Sequence, residues 1–358
     1  MLETVLTNRG IKLEDVENYL NTTEDDIIDP KRIKNIECGV KLLISHIQAN
    51  HDIFIQVDAD ADGFTSAAVL INYLNRLFPS FVNNHIKYRV HDAKQHGIIL
   101  ETIPENIKLV IIPDAGSNQY EEHKILHENG IDVLVIDHHE AEYESPDACV
   151  INNQLCDYPT KSLSGVGMVY KLCCYIDQFL PDYAKCADEF RDLVSLGLIS
   201  DMMPLIDFET RHLVDTGLMK LNNGFFKHIA AKQAFSLKGE LTPFGIAFYI
   251  TPYINATIRA GTLEEKYLLF ESMLDHKGNK KVPSTKRGHA PGEEESIIEQ
   301  ACRNSTNIKN RQSKAEEANL EIIERKIEEN NLLQNKILIV KFTETDNINK
   351  NLTGLFAN

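Results

Sequence analysis

Three apolar runs in the N-terminal half of the chain each end in an acidic motif, and this repetition constrains the fold more than any other feature. Ile53 to Val57 runs into Asp58-Ala59-Asp60-Ala61-Asp62-Gly63. Leu109 to Ile112 runs into Pro113-Asp114-Ala115-Gly116-Ser117. Val133 to Ile136 runs into Asp137-His138-His139-Glu140. A short apolar run closed by a polar turn reads as a buried strand. Behind the first, residues Ala67 to Leu77 have a helical pattern; behind the second, a polar helix is expected near Tyr120 to Asn129. Repeated strand–loop–helix units predict an α/β fold with a mainly parallel sheet flanked by helices. Ligands of such sheets gather in the loops after the strands' C-terminal ends, where these acids and histidines fall.

The rest of the chain divides by pattern. Residues 1–50 read as a helical segment, with Leu13, Val16 and Leu20, then Ile36, Val40, Leu43 and Ile44, at helical spacing. Residues 51–275 carry the motifs and read as one domain, helical from Ser164 to about Leu221 and mixed from 223 to 275. Residues 276–304 are polar and contain Lys277, Lys280, Lys281, Lys286 and Arg287, which predicts an exposed basic loop. Residues 305–333, with Ala318, Leu320, Ile322, Ile323 and Ile327 as apolar positions, predict one long connector helix. Ile337 to Phe342 reads as a strand, and 334–358 as the start of a second α/β domain that the chain does not finish.

Composition narrows the class of molecule. Of 358 residues, 43% are hydrophobic and 25% charged, as in a soluble globular protein. No apolar run is long enough for a bilayer, and MLETVLTNRG carries acid and polar residues where a signal peptide needs an apolar stretch. A cytoplasmic protein without membrane contact is expected. Cys38, Cys149, Cys156, Cys173, Cys174, Cys186 and Cys302 are odd in number and lack CxxC spacing, so they read as reduced thiols and not as a zinc site. The net charge of -16 speaks against a nucleic-acid binder on charge alone. It suits a metal enzyme, whose cations offset part of an acidic cluster.

Each motif has a plainer reading when taken singly. Asp58-Ala59-Asp60-Ala61-Asp62-Gly63 also begins like a calcium-binding EF-hand loop, but a strand precedes it and Val69 stands where that loop needs Glu. Asp114 could cap the next helix. Asp137-His138-His139 could be a polar loop. Asp201, in Gly197-Leu198-Ile199-Ser200-Asp201-Met202-Met203-Pro204, could be a structural acid at a helix end. Together they bring carboxylates and imidazoles, without thiolates, to one sheet edge. That donor set suits Mn or Mg over Zn, and its chemistry is two-metal phosphoester hydrolysis.

At this point the sequence resembles the DHH phosphoesterase superfamily, named for a triplet like Asp137-His138-His139. Four motifs match in order over roughly residues 50–205. The chain is most similar to the RecJ-type single-strand exonucleases, through Asp62-Gly63-Phe64-Thr65-Ser66, Leu163-Ser164-Gly165-Val166-Gly167 and Ile254-Asn255-Ala256-Thr257-Ile258-Arg259-Ala260-Gly261. Asn351-Leu352-Thr353-Gly354-Leu355 looks like the opening of the DHH-associated C-terminal domain, whose glycine-rich, His-containing motif the chain lacks.

The resemblance implies that 51–275 is the DHH catalytic domain and that it holds two divalent ions. Asp60 and Asp114 would bind one; Asp62, His138 and Asp201 the other, with Asp114 bridging and Asp58 at the edge. Asp137 would orient the histidines. His139, Ser164 and Arg259 would contact substrate phosphate. Gln56 stands where many small-molecule members of the superfamily have a metal-binding His. The implied activity is 5′-to-3′ exonucleolysis of single-stranded DNA in recombination and repair, with a single-strand-binding protein as an accessory partner. Two alternatives stay open: a phosphoesterase of oligoribonucleotides or cyclic dinucleotides, and a non-catalytic replication partner.

Overall fold

The computed structural model describes residues 2–92, 95–343 and 346. Helices α1 (Leu2–Asn8), α2 (Val16–Leu20) and α3 (Ile36–Gln48) lead into the expected strand β1 (Ile53–Val57). Then come α4 (Ala61–Leu77), α5 (Pro79–His85), β2 (Ile86–Val90), β3 (Leu109–Pro113), α6 (Tyr120–Glu128), β4 (Asp132–Asp137) and β5 (Cys149–Asn152). The five strands form one parallel sheet in the order β2-β1-β3-β4-β5. Sequence patterning shows β1, β3 and β4. It misses β2, a half-exposed edge strand with Lys87 and Arg89, and β5, which is four residues long.

Alternate strand residues feed two cores, as a period of two requires. Ile53, Ile55, Val57, Leu109, Ile111, Leu134 and Ile136 face α3, α4 and the helices that follow the sheet. Phe54, Val110, Ile112, Val133 and Val135 face Leu126 of α6 and the loop residues Ile98 and Ile107. Both sheet faces are thus covered, which explains why the strands are continuous apolar runs. The register pairs Pro113 with Ile136 and Asp137 with Asn152, so the strand C-termini share one edge.

After the sheet the chain is helical: α7 (Gly165–Asp177), α8 (Arg191–Ser200), α9 (Phe208–Met219), α10 (Gly224–Lys232), α11 (Ala234–Leu237), α12 (Pro243–Tyr249), α13 (Thr251–Ala260) and α14 (Leu263–Ser272). The stretch that reads as mixed, 223–275, is therefore five helices. Deep in this part Lys171 and Glu209 pair at 2.6 Å, both essentially without solvent contact. Glu209 also accepts from Tyr158 and from the Ile28 amide, which fastens the N-terminal segment to the core.

Three C-terminal expectations are corrected. The segment 276–304 is not one open loop: β6 (Lys281–Pro283) and β7 (Glu294–Ser296) form an antiparallel hairpin. Its cations are largely spent, Lys277 and Lys280 on Glu271 and Lys286 on Glu295. The connector helix α15 spans Ile297–Glu329, not 305–333; it starts early because Ser296 and Glu299 form a reciprocal capping box. Ile337 to Phe342 is not a strand: it has no pairing partner among the described residues, and Ile337 and Ile339 lie exposed. Asn351–Leu355 lies outside the described residues. No helix among the described residues is long and apolar enough to cross a membrane.

Candidate metal centre

The shared sheet edge delivers the motif residues to one place. Asp60 caps α4, its carboxylate accepting from the Gly63 amide at 2.9 Å. In the first turn of that helix Asp62 is buried, and its Oδ1 accepts from Ser164 Oγ at 2.9 Å and the Val166 amide at 3.3 Å. Asp114 leaves β3 in the left-handed region, φ 70°, which a short polar side chain tolerates better than most. Its amide donates to the Ile136 carbonyl, holding the turn against β4. Asp201 closes α8.

His138 joins these pieces. Its Nε2 lies 3.3 Å from Asp114 Oδ1 and 3.5 Å from Asp201 Oδ2. Two sets of ligand-type atoms gather within 4.8 Å: Asp62, His138 and Asp201, and Asp58, Asp60 and Asp114. Asp114, Asp137, His138 and His139 form a third, overlapping set. Room for the cluster depends on missing side chains. A Cβ on Gly165 would sit 2.3 Å from Asp114 Oδ1, and one on Gly197 2.4 Å from Asp62 Oδ1.

The cluster's polar atoms fit a bound cation. Asp62 Oδ2, Asp114 Oδ1 and His138 Nε2 are buried and have no hydrogen-bond partner. Such orphans are costly and rare in folded proteins. Burial, reinforced by neighbouring carboxylates, holds Asp114 well above the usual carboxylate range. Burial pushes Asp62 and Asp201 up to about 6. Burial also lowers His138, favouring the neutral imidazole that a cation needs. Carboxylates that repel one another around three unpaired ligand atoms are a donor set suited to Mn or Mg.

Asp137 serves the histidines. Its Oδ1 accepts from the His138 amide at 2.7 Å, the His139 amide at 3.2 Å and His139 Nδ1 at 2.7 Å, while Oδ2 accepts from the Ser117 amide at 3.0 Å. Burial alone would raise this carboxyl; the bonds from His139 and Ser117 outweigh it and hold it well below its ordinary range. The same bond pushes His139 up to about 9 against the opposing effect of burial. Half of the His139 side chain remains exposed. Asn152, at the end of β5, donates to the His139 carbonyl and to Ser117 Oγ.

Other expected residues lie differently. Ser164 is fully buried and donates to Asp62, so its hydroxyl steadies a carboxylate and does not face a substrate. Arg259 is exposed near the end of α13 and makes no hydrogen bond or ion pair among the described residues. Gln56 is buried away from the cluster's unpaired atoms, its amide exchanging hydrogen bonds with the Ile99 backbone and donating to Thr102. Asp58 has partners that sequence reading missed: His96 Nδ1 at 2.9 Å and the Gly97 amide at 3.0 Å. The His96 and His139 rings stand 5.7 Å apart, edge to face. No spacing announces this, because the 95–100 loop folds back from almost forty positions away; the Gln95-His96-Gly97 cluster was its one local signal.

A parallel sheet with acids and a paired histidine motif along its C-terminal edge is the architecture of a DHH domain. Residues 52–198 match the model of the DHH family, N-terminal domain. Over its full 358 residues it is 42% identical to the Bacillus subtilis (strain 168) protein named "Putative SPbeta prophage-derived single-strand DNA-specific exonuclease YorK", of which it spans 60%. It is 30% identical over 273 residues to the single-stranded-DNA-specific exonuclease RecJ of the same organism, spanning 72% of this chain and 33% of that one. The chain thus covers less than two thirds of these relatives. A crystal structure of exonuclease RecJ bound to manganese superposes with a TM-score of 0.65 at 23% identity, covering 81% of this chain and 69% of that one. At that identity the likeness shows the fold.

Proposed function

We propose that this chain hydrolyses phosphodiester bonds of single-stranded DNA as a 5′-to-3′ exonuclease of recombination and repair, using two divalent cations, Mn ahead of Mg. The observation that carries the reading is the convergence of three buried, unpaired ligand atoms, from Asp62, Asp114 and His138, on one sheet edge. The relatives, named as single-strand DNA-specific exonucleases, supply the substrate class. Asp58, Asp60 and Asp114 would hold one ion and Asp62, His138 and Asp201 the other, Asp114 lying between the sets. Held there, the ions would lower the pKa of a water and offset charge on the phosphoryl oxygens.

The chain's own groups do the rest. Asp137 fixes His139 through Nδ1 and favours its protonated form beside the cluster, an effect that the ions' own charge opposes. A cation there suits a phosphoryl oxygen whose charge grows during cleavage. Ser164 and the Val166 amide fix Asp62, while α4 fixes Asp60 through its capping bond. The 95–100 loop, pinned by Gln56, Asp58 and Gln119, walls one side.

The test is digestion of 5′- and 3′-labelled single-stranded DNA with Mn, with Mg and with chelator, against short RNA and cyclic dinucleotides. Mn-dependent release of nucleotides from the 5′ end supports the reading. Preference for the short substrates would assign the site to small phosphodiesters. Inertness towards all of them, with intact metal binding, would mark a binding module.

A further inference from the structure

An exposed aromatic face begins one residue beyond the cluster. Asp201 closes α8 with its carboxylate beside His138. Met202 follows in the left-handed region, φ 57°, and stands 75% exposed. Next to it, α12 presents Phe244 and Phe248, 63% and 58% exposed, with ring centroids 4.5 Å apart and planes tilted by 31°. Tyr249 continues the row, 6.5 Å from Phe244. Met202, Met203, Phe244, Ala247 and Phe248 line an open groove of about 220 Å³. Ser200 Oγ meets Thr251 Oγ1 at 3.0 Å, which bonds the end of α8 to the start of α13 just behind this face.

Two adjacent phenylalanines left in water are a cost that a binding partner can recover. The groove is open and has room for a flat ring. Its walls are apolar and aromatic, which suits the faces of unpaired bases. Charge leaves more of the affinity to such contacts. A chain of net charge -16, with Lys277, Lys280 and Lys286 spent on its own glutamates, gains little from releasing counterions. A strand led to Asp201 then draws on stacking beside what the exposed Arg259 of α13 can offer its phosphates.

We propose that Phe244 and Phe248 form a stacking platform for unpaired bases of single-stranded DNA beside the metal centre; this rests on the reading that the site takes such DNA.

The experiment is equilibrium binding of a 2-aminopurine-containing single-stranded oligonucleotide, in chelator to prevent cleavage. It compares the wild-type chain with F244A/F248A and with F244Y/F248Y, and adds Mn binding by electron paramagnetic resonance and mass by light scattering. Wild type should quench the 2-aminopurine and show a shallow dependence of affinity on salt. F244A/F248A should bind roughly ten- to hundredfold more weakly, with Mn binding unchanged, and F244Y/F248Y should retain affinity. Equal affinity of wild type and F244A/F248A overturns the proposal. So does a wild type that does not quench, or a variant whose only change is loss of a dimer. A wild type that stacks the oligonucleotide yet never digests DNA with Mn leaves the platform standing and overturns the exonuclease reading. Digestion that F244A/F248A preserves in full does the reverse.

Discussion

Gly165 lies against Asp114 so closely that a single added methyl would fall 2.3 Å from its Oδ1 and 2.6 Å from its Cα. Two segments 51 positions apart are therefore fitted to each other at the one carboxylate between the two candidate ligand sets. Gly165→Ala must push Asp114 aside. Displacement of a reacting geometry by about an ångström costs about two orders of magnitude in rate. The expected outcome is a loss of that size in kcat/KM on single-stranded DNA, with weaker Mn binding, while circular dichroism stays native.

Asp114→Asn should separate stability from activity. The buried carboxylate is crowded by Asp62 and Asp60 and lacks a partner at Oδ1. Removing its charge relieves that crowding in metal-free protein, and a relief of 1 kcal/mol raises Tm by about 1–2 °C in a chain of this length. The variant should melt higher than wild type in chelator. Mn should raise the Tm of wild type and not that of the variant, and DNA digestion should fall to background.

His123 predicts an acid limb in the stability curve. It is fully buried in α6 with neither ring nitrogen in a hydrogen bond, and burial lowers it to about 4. The unfolded chain takes up a proton below its ordinary value of 6.5, and the folded chain resists until about 4. The contribution of His123 is thus complete above pH 6.5 and is lost as pH falls towards 4, by up to roughly 3 kcal/mol. Urea unfolding of wild type and His123→Leu at a series of pH values checks this: the variant should lose much of the slope between those limits.

Lys171→Met should be among the most damaging changes far from the cluster. It leaves Glu209 buried without its cation, a situation that costs about 3–5 kcal/mol. Because Glu209 also receives Tyr158 and the Ile28 amide, protease nicking near Ile28 should accelerate along with the loss in urea midpoint. Pairing the change with Glu209→Leu should restore part of the midpoint.

How far the sequence exposes this molecule depends on how local each determinant is. Strands β1, β3 and β4 were readable because each is buried on both faces and flows straight into its acid, so a single window of residues carries both signals. Edge strands carry neither: β2 mixes Lys87 and Arg89 into its pattern, and β5 is too short to show a period. The start of α15 hinged on Ser296 and Glu299, a capping pair lying inside what reads as loop. At the site, Asp60, Asp62, Asp114, His138 and Asp201 come together as their order suggests. The grip of His96 on Asp58 and of Ser164 on Asp62 depends on where distant loops return, which no periodicity encodes.

Helix α15 has a mechanical consequence. Its buried residues run from Ile297 to Gln312, with Asn319 beyond, so its root is embedded against α10, α13 and α14 and most of its later turns are not. At 1.5 Å per residue, its 33 residues reach about 50 Å. A rod of that length clamped at one end is a pointer: each degree of tilt at the root sweeps its tip through about one ångström. Small repacking around Ala301 and Cys302 would therefore be read out, amplified, wherever that tip is engaged.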